Sequence, residues 1–148
     1  MAEFQIVVCQ LGDESYGLDI GSVYEIIRFQ ACTAVPASPS YVDGVINLRG
    51  LIVPVMDLSS RFGMPRPATT KSTRIIVAGT SGRRVGLVVD AVTEVLMVPE
   101  DAVEATPEVA SDHSSAYIRG IAKLADELVI LLDLKALFNE NEVVERAA

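Results

Sequence analysis

The 148-residue chain carries the same pattern twice. Tyr41-Val42-Asp43-Gly44-Val45-Ile46-Asn47-Leu48 returns as Tyr117-Ile118-Arg119-Gly120-Ile121-Ala122-Lys123-Leu124. The match continues in step, with Ile52-Val53-Pro54-Val55-Met56-Asp57-Leu58 against Leu128-Val129-Ile130-Leu131-Leu132-Asp133-Leu134, then Phe62 against Phe138. Upstream, Ile6-Val7-Val8 aligns with Ile75-Ile76-Val77, Gly17-Leu18 with Gly86-Leu87, and Val23-Tyr24-Glu25-Ile26 with Val92-Thr93-Glu94-Val95. The offset grows by seven residues between the two blocks, so the second copy has a longer middle loop, around Val98 to Ala116. Two blocks in the same order identify a tandem duplication.

Each copy sets out the same signals. An apolar, β-branched run (Phe4 to Leu11; Thr73 to Ala78) meets a Gly-containing turn, then a second run (Tyr16 to Ile20; Val85 to Val89). That is a hairpin signature. Val23 to Phe29 or Val92 to Val98 follows, then a loop with Pro36 and Pro39 or Pro99 and Pro107, which break a ladder and hold the chain extended. Two closely spaced runs finish each copy, Val45 to Leu48 with Leu51 to Met56, and Ile121 to Leu124 with Leu128 to Leu132.

Five short strands per copy suit a small closed barrel, which removes exposed edges. The expected fold is mainly β, with two barrel lobes related by duplication and a short helix after each. The first lobe spans about 1–64, a connector with Pro65 and Pro67 about 63–72, and the second lobe about 73–138, with a C-terminal helix over about 133–145. A lobe of this size buries a limited core alone, so the two are expected to share an apolar interface and to be inseparable. Asp57 and Asp133 stand where a helix N-cap belongs, and Leu132 and Leu137 fit a hydrophobic staple around the second cap.

Composition excludes several classes of function. Half the residues are hydrophobic, but in short clusters, with no apolar run long enough for a transmembrane helix. Met1 to Leu11 carries Glu3 and no basic lead, unlike a secretory signal. A net charge of −8 without a block of Lys or Arg disfavours nucleic acid and anionic membranes as partners. Cys9 and Cys32 are expected as buried, inert thiols. Two distant Cys and the single His113 do not make a metal cluster, and the glycines form no phosphate loop, so no cofactor is expected. His113 lies in a Ser-rich polar stretch and cannot form a relay with Asp112 and Ser114, whose side chains diverge from it. No nucleophile, base or cofactor site remains, and no enzyme activity is expected. A small-molecule-binding barrel is the alternative in another class.

Duplication also supplies an internal control. Copy one has Asn47-Leu48-Arg49-Gly50 where copy two has Lys123-Leu124-Ala125-Asp126, so the barrel as such does not require Arg49. Arg49 is either a solvated turn residue or the partner of a nearby acid, Glu25 being the candidate, since its planar fork holds a carboxylate bidentately.

Tyr16-Gly17-Leu18-Asp19-Ile20, Val35-Pro36-Ala37-Ser38-Pro39, Gly44-Val45-Ile46-Asn47-Leu48-Arg49-Gly50 and Ile52-Val53-Pro54-Val55-Met56-Asp57-Leu58 with Arg61-Phe62-Gly63 resemble the CheW family of chemotaxis coupling proteins. The resemblance runs from Phe4 to Phe138 and makes the chain a single CheW-like domain over 1–148. It implies two SH3-like five-stranded barrels and a non-catalytic adaptor that links chemoreceptor cytoplasmic tips to the regulatory domain of the histidine kinase CheA. Such an adaptor is cytoplasmic and recruited to membrane-associated receptor arrays, flagellar or otherwise. The resemblance further implies a receptor-binding groove with Val23, Glu25, Ile26 and Gly44, supported by a Glu25–Arg49 ion pair. The pair Arg83-Arg84 departs from the family pattern in a turn.

Overall fold

The structure, a computed structural model, describes residues 2–65, 67–80, 82–105 and 117–138. His113 and the expected helix beyond Phe138 lie outside the described residues. In chain order come β1 (Glu3–Leu11), β2 (Glu14–Asp19), a 3-10 turn (Ile20–Ser22), β3 (Val23–Arg28), β4 (Val42–Leu48), β5 (Leu51–Asp57) and α1 (Leu58–Arg61). The second half gives β6 (Arg74–Thr80), β7 (Arg83–Val89), β8 (Ala91–Pro99), a 3-10 turn (Glu100–Ala102), β9 (Val103–Glu104), β10 (Ile118–Lys123), β11 (Leu128–Leu132) and α2 (Leu134–Phe138). Both halves run through a hairpin, a third strand, a second pair of strands and a short helix, as the duplication requires; they differ in the 3-10 turn, which precedes β3 in one and follows β8 in the other, and in the added short strand β9.

The sheets, however, do not divide the chain at the connector. One runs β8-β1-β2-β11-β10-β9 and the other β3-β6-β7-β5-β4. Each sheet therefore combines the leading hairpin of one copy with the trailing strands of the other. The seams between copies include two equivalent parallel pairings, β2 with β11 and β5 with β7. The expectation of one contiguous lobe per copy gives way to a crosswise exchange of hairpins. Both sheets close into barrels. β8, its 3-10 turn and β9 form one run that pairs with β1 at one edge and β10 at the other. β3 pairs with β6, and the chain beyond it returns at Thr33 to exchange two 2.9 Å backbone hydrogen bonds with Val45.

Alternation along the strands explains the unbroken apolar runs. In β1, Ile6 and Val8 point into the β1 barrel, while Val7, Cys9 and Leu11 enter a core shared between the barrels. In β6, Ile75 and Val77 fill the β3 barrel, and Ile76 and Ala78 join the shared core. Successive residues are buried because both faces of these strands are covered. Among the described residues the shared core holds fifteen buried side chains against six in each barrel, so the largest cluster lies between the lobes. Cys9 sits within it, and burial, then the nearby Asp90 carboxylate, push its thiol up to about 12. Cys32 is half-buried against the β3 barrel, and neither thiol is in a disulfide.

The caps form where the sequence places them. Asp57 is 3% exposed, and its Oδ2 accepts from Ser60 N at 2.9 Å and Ser60 Oγ at 2.7 Å. Asp133 Oδ1 accepts from Lys135 N and Ala136 N, and Leu132 and Leu137 are buried together in the shared core. The repeated Gly17 and Gly86 answer to packing instead of positive φ. A Cβ at either would stand within 3 Å of a core side chain, Ile6 or Ile75.

Candidate docking surface on the β3 barrel

Strand β3 owes its surface to a bulge. Residues three apart in a regular strand point to opposite faces. Here the register slips between Val23 and Glu25, so that Val23 stands opposite Ala78 and Ile26 opposite Ile76. Both partners belong to the shared core, which puts Val23 and Ile26 on one outer face. Glu25 and Ile27, opposite Val77 and Ile75, take the barrel side. The extra residue, Tyr24, lies across Gly79 with the Arg84 guanidinium 4.2 Å from its ring centroid. One half of the basic pair Arg83-Arg84 thus packs on an aromatic ring.

The sequence-expected residues play unlike parts. Ile26 is the exposed apolar side chain on this face, at 40%. Val23 is half-buried against the shared core. Gly44 is buried and offers no side chain; with φ 140° it lies where a Cβ would come within 2.1 Å of the Thr33 carbonyl oxygen. It is a closing point of the barrel.

Glu25 and Arg49 are brought together, Arg49 Nη2 donating to Glu25 Oε2. Arg49 and Gly50 are the two central residues of the β4–β5 hairpin, with φ of 52° and 87°. Positive φ at both positions is what a type I′ turn needs. Asn47 Oδ1 accepts from Gly50 N at 2.9 Å and secures the turn. The arginine then reaches from this turn across the barrel seam to β3. Its side chain is 70% exposed and that of Glu25 27%, so the pair is worth about 0.5–1 kcal/mol, not the figure for a buried one. A non-glycine residue with left-handed backbone costs about 1–2 kcal/mol. Urea denaturation of two variants separates these effects. Arg49→Ala loses the pair and keeps the strain, lowering stability by about 0.5–1 kcal/mol, whereas Arg49→Gly offsets the loss by relieving the strain. Equal destabilisation by both would remove the strain argument.

Beside the second copy's counterpart of this hairpin, Lys123 has an acidic partner of its own. Its Nζ lies 3.2 Å from Glu104 Oε2, tying β10 to β9 across the seam of the other barrel.

One side-chain cluster between the copies has no counterpart among the candidate site residues singled out in the sequence. Arg61 in α1 lies between two tyrosines at equivalent positions, with Cζ 4.3 Å from the Tyr41 ring centroid and 4.6 Å from that of Tyr117. Its Nε and Nη2 both donate to Leu137 O at 3.2 Å. Phe62 stacks between Tyr16 and Tyr117 at 5.5 and 5.8 Å. The repetition of Tyr41 as Tyr117 was the available signal: an aromatic retained in both copies at a barrel end marks where the copies meet.

Comparison with known proteins agrees with this architecture. Residues 5–142 match the family model of the CheW-like domain. The chain is 40% identical over 138 residues to the probable chemotaxis protein CheW of Rhizobium etli, covering 93% of this chain and 89% of the relative. It is 33% identical to chemotaxis protein CheW of Treponema pallidum, covering 98% and 88% of the two chains. Among solved structures, the scaffolding protein TtCheW of Thermoanaerobacter tengcongensis superposes with a TM-score of 0.86 at 40% identity, over 96% of this chain and 92% of that one. A doubled barrel of this connectivity, matched over nearly its whole length in sequence and in structure, makes the chain a member of the CheW family of chemotaxis proteins.

Proposed function

We propose that the protein couples chemoreceptors to the histidine kinase CheA by docking alone, with the receptor's cytoplasmic tip on the outer face of β3 and the kinase's regulatory domain on a separate surface. The observation that carries this reading is the exposed Ile26 on a strand whose position is set from both sides, by pairing with β6 and by the Arg49–Glu25 contact. An apolar side chain held on a fixed edge can anchor a partner, because a few central residues dominate the binding energy of an interface. Signal transfer then consists of differential binding to the states of the kinase. No helix among the described residues is long and apolar enough to cross a membrane, in keeping with recruitment to receptor arrays from the cytoplasm.

Titration calorimetry against the kinase's regulatory domain and a receptor cytoplasmic fragment tests the proposal. Affinities on the order of micromolar are expected for each, and no heat from either at tens of micromolar would sink it. Ile26→Asp places a charge in the apolar centre and is expected to weaken receptor binding by about 30-fold or more, with kinase binding unchanged.

A further inference from the structure

We infer that the outer face of β3 ends in a seat for carboxylate side chains of the docked partner, formed by Arg28, Arg74 and Lys71. The inference rests on the coupling reading and adds the charge of the partner. Arg28 lies two residues beyond Ile26 and so on the same face, and its register partner across the antiparallel pair is Arg74. Two like charges directly opposite repel. Lys71 adds a third cation to the same cleft of about 420 Å³, which Phe29 and Thr70 also line. Among the described residues none of the three cations has a carboxylate within 4.0 Å, although the chain carries 20 Asp and Glu against 12 Lys and Arg.

The cleft is also pre-arranged. Arg74 Nη1 donates to Lys71 O at 2.7 Å and to Thr73 O at 2.9 Å, which fixes the guanidinium and, among the described residues, leaves its remaining donors open. The Thr70–Thr73 turn beneath is held by Thr70 N donating to Thr73 Oγ1 at 2.9 Å. A guanidinium fork of this kind matches a carboxylate. Polyanions such as nucleic acid or a lipid surface meet the field of the whole chain, at −8, and are repelled. Acidic side chains on a protein segment that also covers Ile26 avoid that penalty, because apolar contact supplies affinity while the cations fix the register.

The test uses the full chain, titrated with the receptor cytoplasmic fragment at low and high salt. Arg28→Ala with Arg74→Ala should bind about tenfold more weakly at low salt and show a flatter salt dependence. Its melting temperature should stay close to that of the wild type, because loss of the Arg74 hydrogen bonds to the Lys71 and Thr73 carbonyls is offset by removal of the repulsion. Arg28→Ala alone, which takes away an exposed side chain, should move binding in the same direction. Wild-type binding with unchanged affinity and salt slope in both variants overturns the carboxylate seat while leaving the coupling reading standing. Wild-type protein that binds no receptor fragment overturns both. Displacement of the fragment by inorganic phosphate, beyond the effect of chloride at equal ionic strength, would make the cleft a free-anion site and also overturn the assignment.

Discussion

Gly44→Ala is expected to cost at least about 3 kcal/mol of stability, enough to lower the melting temperature by roughly 10 °C in a chain of this size. Two independent effects add. The backbone at Gly44 has φ 140°, a conformation that L side chains rarely adopt, and a Cβ there would stand 2.1 Å from the Thr33 carbonyl oxygen and 2.7 Å from its carbon. Backbone atoms cannot swing aside as a side-chain end can. Relief requires the Thr33 segment to leave Val45, and those two hydrogen bonds close the barrel. Gly50→Ala is the control. Its φ is also positive, but nothing lies within 4 Å of the added carbon, so only the backbone strain of about 1–2 kcal/mol is felt. Thermal melts followed by circular dichroism decide between them, and a Gly44→Ala protein as stable as wild type would show that the barrel does not close through Thr33. On the proposed function, lost receptor coupling in a destabilised Gly44→Ala protein would report loss of the fold instead of loss of a contact.

The second large effect concerns the two halves of the chain. A fragment ending in the connector and one beginning there should each be unfolded alone and should fold when mixed. Each half separately owns a hairpin and a set of trailing strands that pair with elements of the other half. An isolated first half would lose β6 and β7 from the β3 barrel and β8 to β11 from the β1 barrel, leaving the separate hairpins β1–β2 and β4–β5, each marginal in water. The shared core, which draws on β1, β2, β5, β6, β7, β11 and both helices, would be opened as well. Circular dichroism of each fragment and of the equimolar mixture measures this directly. A first half that folds cooperatively by itself would contradict the crosswise pairing.

Why that exchange escaped the sequence is instructive. The repeated blocks reveal both hairpins, their turns and their apolar faces, and the two helix caps stand at Asp57 and Asp133 as their positions imply. Alternation says which face of a strand is buried but not which barrel receives it. The hairpins beginning at Ile6 and Ile75 carry the same pattern, so either satisfies either set of trailing strands. The Glu25–Arg49 contact was legible because the second copy lacks the arginine. The bulge that turns Val23 and Ile26 to one side was not, since nothing in Val23-Tyr24-Glu25-Ile26 marks Tyr24 as the extra residue. The same holds for Arg28 and Arg74, which are distant in sequence and become neighbours only through strand register. Gly44 recurs as Gly120 in the sequence, yet the burial of Gly44 under Thr33 depends on where a loop returns.

The Arg61 cluster marks a place where the two copies both touch and differ. Counting from each cap, Arg61 corresponds to Leu137, and its guanidinium binds the carbonyl of that very counterpart while lying between the counterparts Tyr41 and Tyr117. A group so placed lies where the two copies meet and touches equivalent residues of both. Perfectly matched copies would bring a second arginine toward the same pair of rings; the second copy instead carries Leu137, which offers its carbonyl to Arg61 and buries its side chain in the shared core.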